Sequence, residues 1–209
     1  MDERRALNIG CLVKEGYNKN QYNEKYRIGR IITEFEKQCI DIFLSKIKST
    51  PRVLDLGCGA ALIYDQYMEK KGCQIVGVDF SEKQIEGAKK NCNGTFYCEN
   101  MLDFPITREY DGITLFYSLF HVNREYHKNF LSKIYKNTSD DCCILLNARE
   151  KDEGIKQKID FCNYPMYWSH YSYNVFVEMI SAIGFKITIL GNEKDYGSSE
   201  SHVWMVLSK

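Results

Sequence analysis

Asp55, Gly57, Gly59 and Asp79 are the residues whose types and spacing first suggest chemistry. They stand in Arg52-Val-Leu-Asp-Leu-Gly-Cys-Gly-Ala-Ala61 and in Gln74-Ile-Val-Gly-Val-Asp79. A buried strand thus runs into a glycine turn, a helix follows, and a second apolar strand ends in a carboxylate 22 residues after Gly57. That is the layout of a nucleotide-binding βαβ unit. Gly57, Cys58 and Gly59 let backbone approach a ligand closely, and the helix beyond them offers unpaired N–H groups. Asp79, at a strand's carboxyl end, is placed to accept hydrogen bonds from both hydroxyls of a ribose. A pyrophosphate loop calls for a third glycine near Leu62, where the chain reads Ala60-Ala61-Leu62. Asp55 would also repel a pyrophosphate but attract an ammonium group. The pattern favours an amino-acid head group joined to a nucleoside over a nicotinamide dinucleotide.

Groups able to move a proton or seat a second molecule lie further along. His121 follows Tyr117-Ser-Leu-Phe120 at the mouth of the same crevice, where an imidazole suits a general base near neutrality. The competing reading of His121 is a group that packs against or caps the next helix. Met166-Tyr-Trp-Ser-His-Tyr171 is dense in rings that combine apolar faces with polar tips. Tyr167, Trp168, His170 and Tyr171 are expected to wall a pocket, with His170 as a second candidate base, unless the segment only folds over the sheet edge. Arg149 suits an acceptor carboxylate or phosphate, or else a surface ion pair. Near the N-terminus, Tyr17, Tyr22, Tyr26, Arg27 and Arg30 form another group of rings and charges.

The elements that must position these groups follow from periodicity. Ile28, Ile31, Ile32, Phe35, Cys39, Ile42, Phe43 and Ile47 recur at steps of three and four, predicting an amphipathic helix over 27–48 that Thr50-Pro51 ends. Strands are expected at 52–56, 74–79, 95–98, 112–117 and 142–148, and helices at 61–71, 82–92 and 124–137. This alternation implies a parallel α/β sheet covered on both faces. A polar stretch spans 149–165, a helix 172–183, and strands 185–190 and 202–207 flank a Gly/Ser loop at 191–201. His127 and His202 read as helix-surface and strand positions.

Val53-Leu-Asp-Leu-Gly-Cys-Gly59 closely resembles the first motif of the class I S-adenosylmethionine-dependent methyltransferases. The resemblance continues through Val76-Gly-Val-Asp-Phe-Ser81, Glu99-Asn-Met-Leu-Asp-Phe-Pro105 and Tyr110-Asp-Gly-Ile-Thr-Leu-Phe-Tyr-Ser-Leu-Phe-His-Val122. It implies a Rossmann-like, seven-stranded, mostly parallel sheet of order 3-2-1-4-5-7-6, the last strand antiparallel, with helices on both faces. It also implies S-adenosylmethionine as cofactor. Asp55 and Gly57 would face the methionine part, Asp79 the ribose, Phe80 one face of the adenine, and Asn100, Met101 and Leu102 its edge. Residues 1–26 would form a lid from which Tyr22 and Arg30 reach the cofactor carboxylate. Tyr117 would border both cofactor and chemistry. Residues 149–170 would form an acceptor-pocket insert, with Tyr17, Arg149, Tyr167, Trp168, His170 and Tyr171 around a small-molecule acceptor. Two departures stand out: Ala61 replaces a frequent third glycine, and Asn100 a common aspartate. Amino-directed nucleic-acid methyltransferases carry an Asn/Asp-Pro-Pro-aromatic motif after the fourth strand; Tyr117-Ser118-Leu119-Phe120 lacks the prolines. The implied activity is methyl transfer to O, N or C of a small molecule. The alternatives are a non-catalytic cofactor-binding module and a nucleic-acid or protein methyltransferase.

Composition narrows the partners. A chain of 209 residues accommodates one α/β domain with a sizeable core. Lys plus Arg equals Asp plus Glu at 28 each, so no global field attracts a polyanion, and nucleic acid is a disfavoured partner. No apolar leader or membrane span is seen, which suggests a soluble, cytoplasmic monomer or homodimer. The nine cysteines lack Cys-x-x-Cys spacing and read as small buried hydrophobes, with no metal expected.

Overall fold

The computed structural model describes residues 3–19, 21–151, 154–194 and 200–209, with side chains from Ile9 onward. Residues 195–199 of the expected Gly/Ser loop lie outside the described residues, as do 152–153 of the insert and 1, 2 and 20 of the N-terminal segment.

The strand Arg52–Leu56 (β1) is apolar from Val53 onward except for Asp55, and it lies in the interior of the sheet. Around it pair Gln74–Asp79 (β2), Thr95–Cys98 (β3), Gly112–Leu115 (β4) and Cys143–Arg149 (β5), all parallel. Setting aside a separate hairpin, Ile155–Phe161 (β6) with Tyr164–Ser169 (β7), the remaining strands are Lys186–Lys194 (β8) and Ser201–Ser208 (β9). The seven-stranded order is β3-β2-β1-β4-β5-β9-β8, with β9 antiparallel to both neighbours. This is the expected 3-2-1-4-5-7-6 arrangement. Buried strands of Val, Ile and Leu demand cover on both faces. Glu34–Leu44 (α3), Tyr64–Lys70 (α4) and Glu82–Asn91 (α5) supply Ile40, Phe43, Met68 and Ile85 to one side. His127–Asn137 (α6) and Tyr173–Ile183 (α7) supply Phe130, Leu131, Ile134, Phe176 and Ile180 to the other.

Two N-terminal helices, Glu3–Lys19 (α1) and Tyr22–Tyr26 (α2), precede α3. The helix expected over 27–48 is shorter. Gly29 turns left-handed (φ 77°), and Thr33 and Glu36 form a reciprocal capping box that starts α3 at Glu34. Ile28 and Ile31 consequently lie exposed, ahead of the helix. The helix expected from 61 starts at Tyr64, because Ala61 is itself left-handed (φ 52°). The strand expected to reach 117 stops at Leu115, short of a left-handed Tyr117 (φ 54°).

The polar stretch at 149–165 and the aromatic run after it are largely the β6–β7 hairpin. Its outward face carries the apolar residues Ile155 and Ile159, which inverts the usual pattern, and its turn is a left-handed Cys162-Asn163 pair instead of Asn-Gly. The hairpin packs against α1, where Val13, Met166, Tyr167 and Trp168 form a small separate core. Gly16 makes that contact close: a Cβ there would sit 2.7 Å from Met166 Cε. Of the nine cysteines, Cys11 and Cys98 are exposed, correcting the expectation that all are buried. Among the described residues, no helix is long and apolar enough to cross a membrane.

Candidate functional site

Strand order reverses at β1, whose neighbours are β2 and β4, and the carboxyl ends of these strands open into a cleft of about 930 Å³. A crevice at such a switch point is where open α/β sheets bind ligands. The turn after β1 is fastened to β2 by Gly57 N and Cys58 N, which donate to Val78 O at 2.7 and 3.1 Å. Gly57 adopts φ 86°, and a Cβ there would fall 2.3 Å from Ser118 Cβ, so no other residue fits. Ser118 is fixed in turn by donating to Leu56 O at 2.6 Å.

Asp79 holds the shape of this floor. Its Oδ2 accepts from Gly59 N at 3.0 Å and its Oδ1 from Ser81 N at 2.9 Å, while burial pushes its carboxyl up to about 6. Each oxygen keeps a further acceptor site toward the cleft. Ser81 caps α5 through Gln84 N, so the capping duty does not fall on Asp79. Asp55 is 2 % exposed and accepts from Thr114 Oγ1 at 2.7 Å. Burial raises it, and burial with the neighbouring Asp55 raises Asp65, an equally buried carboxyl on the first turn of α4. Two carboxyls so placed share a proton in the absence of a cation. Asp65 was not anticipated; its only signal is a carboxylate in a helix's first turn, which many helices carry for electrostatic reasons alone.

His121 lies on a short 3₁₀ turn, Leu119–His121, beyond β4. Its Nδ1 is 2.8 Å from Tyr167 O, a group that only accepts, so Nδ1 carries the ring proton. Its Nε2 then accepts from Tyr17 Oη at 2.7 Å. Desolvation, with Arg149 adding to it, pushes the imidazole down to about 4, so the ring is neutral near pH 7. Tyr17, from α1, is pushed up by burial and keeps its proton.

Most of the anticipated residues border the cleft: Asp55, Gly57, Cys58, Gly59, Asp79, Phe80, Asn100, Met101, Tyr117, Tyr17, Tyr22 and His121. Others do not. Leu102 packs against the core, with its N–H donating to Asn100 Oδ1 at 3.0 Å. Arg30 is bound to Glu36 and Tyr64 in a buried ion pair and does not border this cleft; Arg27 does, stacked 5.3 to 6.0 Å from the rings of Tyr22, Tyr64 and Tyr117.

A second chamber of about 870 Å³ adjoins the first and shares Tyr17, Tyr22, Arg27, Tyr117 and His121 with it. Arg149 and Trp168 reach it. Tyr167, His170 and Tyr171 do not. Tyr167 turns its ring under α1 and contributes its carbonyl to His121. His170 is 4 % exposed, beside Arg149 Nε at 3.3 Å and facing a small apolar cavity with His127 and Phe176. That position gives it no access to either chamber. Tyr171 packs on His127, with Arg124 over its ring. His127 is buried and its Nε2 donates to Val122 O at 3.0 Å, contrary to a helix-surface position. The chamber is completed by Tyr26, Arg30, Phe120, Lys156, Lys158, Phe161 and Glu200. The hairpin strand is why sequence reading missed most of these: Lys156 and Lys158 are two apart, hence on one face, a pattern hidden within a polar run.

The fold and cleft are those of the Rossmann-like methyltransferases. The family model described as a methyltransferase domain matches residues 53–141, the part that builds the cleft. The matched segment is thus similar to the class I S-adenosylmethionine-dependent methyltransferases, whose cofactor is S-adenosylmethionine. It is 25 % identical over 121 residues to the carboxy-S-adenosyl-L-methionine synthase of Shewanella loihica, covering 52 % of this chain and 49 % of that one. The chain therefore spans about half the length of the curated relative it matches. The same fold occurs in the magnesium protoporphyrin IX methyltransferase of Synechocystis, solved with S-adenosylmethionine bound (TM-score 0.67, 15 % identity, 96 % of this chain and 97 % of that one). It occurs too in the 1,6-didemethyltoxoflavin-N1-methyltransferase of Burkholderia thailandensis (TM-score 0.67, 14 % identity, 99 % and 89 % covered).

The residues present fit that cofactor. Asp65 Oδ1 is buried without a hydrogen-bond partner among the described residues, and the pair of carboxyls it forms with Asp55 suits an ammonium.

Proposed function

We propose that the chain transfers a methyl group from S-adenosylmethionine to O, N or C of a small molecule. The observation that supports this reading is the confluence of two chambers at Tyr17, Tyr117 and His121, one floored by the glycine turn and carboxylates, the other walled by rings. A cofactor in the first and an acceptor in the second would meet there.

The cofactor supplies an electrophilic methyl whose sulfonium sulfur keeps the bonding electron pair as the methyl leaves. The chain's part is to align, dry and deprotonate. In this reading Asp55 and Asp65 hold the ammonium, Asp79 the ribose hydroxyls, and Phe80 with Asn100 and Met101 the base. Tyr17 and Tyr22, on the N-terminal helices, cover the junction and exclude water. As the acceptor atom bonds to carbon it becomes more acidic. Its proton passes to Tyr17 Oη while the phenol proton moves to His121 Nε2, along the 2.7 Å hydrogen bond.

Calorimetric titration with S-adenosylmethionine, S-adenosylhomocysteine and NAD tests the cofactor half, and labelled methyl transfer to an acceptor panel tests the reaction. Binding of the first two ligands without NAD is expected. NAD binding alone would overturn the proposal.

A further inference from the structure

The walls of the second chamber carry more information than its size. Among the described residues five cations border it, Arg27, Arg30, Arg149, Lys156 and Lys158, against one bordering carboxylate, Glu200. Glu36, the buried partner of Arg30, adds a second negative charge just outside. Glu200 is engaged by Arg149 and, at 3.9 Å, by Lys156. Around this chamber, cations thus exceed carboxylates by five to two among the described residues. Low-dielectric walls focus such a field. The effect reaches His121, whose depressed basicity owes something to Arg149 after desolvation.

The remaining wall is aromatic. Phe161 meets Trp168 edge to face, with centroids 5.0 Å apart, and lies parallel to Tyr26 at 6.0 Å. Lys158 Nζ sits 5.4 Å from the Trp168 ring centre and 5.9 Å from that of Phe161, which places a cation directly on the aromatic wall. Lys156 is opposite Trp168 in the hairpin register and so shares its face. Rings give a planar ligand faces to stack on, and cations beside them select one that ends in an acidic group.

We infer that the acceptor is a planar aromatic compound bearing a carboxylate or phosphate, with its acidic group held by the hairpin lysines and Arg149 and its ring between the aromatic walls. This rests on the methyltransferase reading above and narrows it to a substrate class. Lys158 is a specificity-determining residue in this assignment, and its exposed position on β6 makes it replaceable without loss of the fold.

The test uses the full chain saturated with S-adenosylhomocysteine, so that the first chamber is filled. It is titrated with 4-hydroxybenzoate, indole-3-carboxylate and phenyl phosphate, each beside a neutral counterpart: the two amides and phenol. At least one acid is expected to bind about tenfold or more tightly than its counterpart, with the preference shrinking as salt rises. Whether the carboxylates or the phosphate lead identifies the acidic group. Lys158→Gln should weaken the preferred acid several-fold and leave S-adenosylhomocysteine affinity unchanged. If the neutral compounds bind as well as the acids, if none of the acids binds, or if Lys158→Gln changes nothing, the assignment is wrong while the methyltransferase reading stands. If S-adenosylhomocysteine itself does not bind, the parent reading fails and takes this one with it.

Discussion

The cofactor cleft and the chamber beside it are built in different ways. The cleft is mostly backbone and strand ends: its Asp79 to Gly59 link joins residues 20 apart, and its position follows from where the sheet reverses. The chamber is mostly side chains brought from far along the chain. Tyr17 meets His121 across 104 residues. Strand ends and the glycine turn make the floor of the first site, whereas the second exists only once α1 and the β6–β7 hairpin have docked on each other. Damage to the cleft should therefore be severe and local, and damage to the chamber mild in folding but selective in chemistry.

Gly57→Val would break the cleft outright. A side chain at φ 86° against Ser118 should cost roughly 3 kcal/mol or more and abolish cofactor binding, as read by denaturant unfolding and calorimetry. A stable variant that still binds cofactor would remove the claim that backbone shape makes this site. Asp79→Ala, which deletes two acceptors, should weaken S-adenosylmethionine binding by about a hundredfold; equal affinity would displace the ribose from that carboxylate. On the chamber side, Tyr17→Phe should slow methyl transfer about tenfold or more while cofactor affinity stays within a few-fold. A matched loss of affinity would mean that the phenol serves the cleft instead. Cofactor affinity should climb several-fold from pH 6 to about 7.5, because Asp55, pushed up to about 7, must lose its proton before an ammonium can replace it. His121 stays neutral across that range and adds no slope. Above pH 8 an α-amino group loses its own charge, so the gain should reverse. A flat profile would argue against the ammonium at Asp55. The smallest effect belongs to Ala61→Gly, which relieves a left-handed alanine and should stabilise the fold by about 1 kcal/mol in denaturant unfolding.

The same contrast explains how far the sequence could be read. Strand order, the glycine turn and Asp79 follow from local patterns, because periodicity and a single turn carry them. The left-handed Ala61 shows why a glycine is frequent at that position, and that alanine tolerates it. The helix over 27–48 was overextended because Ile28 and Ile31 keep helical spacing ahead of a cap that Thr33 and Glu36 impose. The hairpin was missed because its apolar residues face outward and its turn uses Cys162-Asn163. His170 looked like a base from its aromatic neighbours, but the alternation of β7 and the turn at its end point it away from both chambers. Arg30 and Arg27 are three residues apart, and only the buried Glu36 decides which of them reaches the cleft.

Tyr17 and Tyr22 each line both cavities, and this has a consequence for turnover. If α1 and α2 swing aside to let spent cofactor leave, they also remove a wall from the acceptor site. An acceptor with two methylatable positions would then be released after each transfer and return as a new substrate. Singly methylated product should accumulate before doubly methylated product appears, so the enzyme would be distributive, not processive.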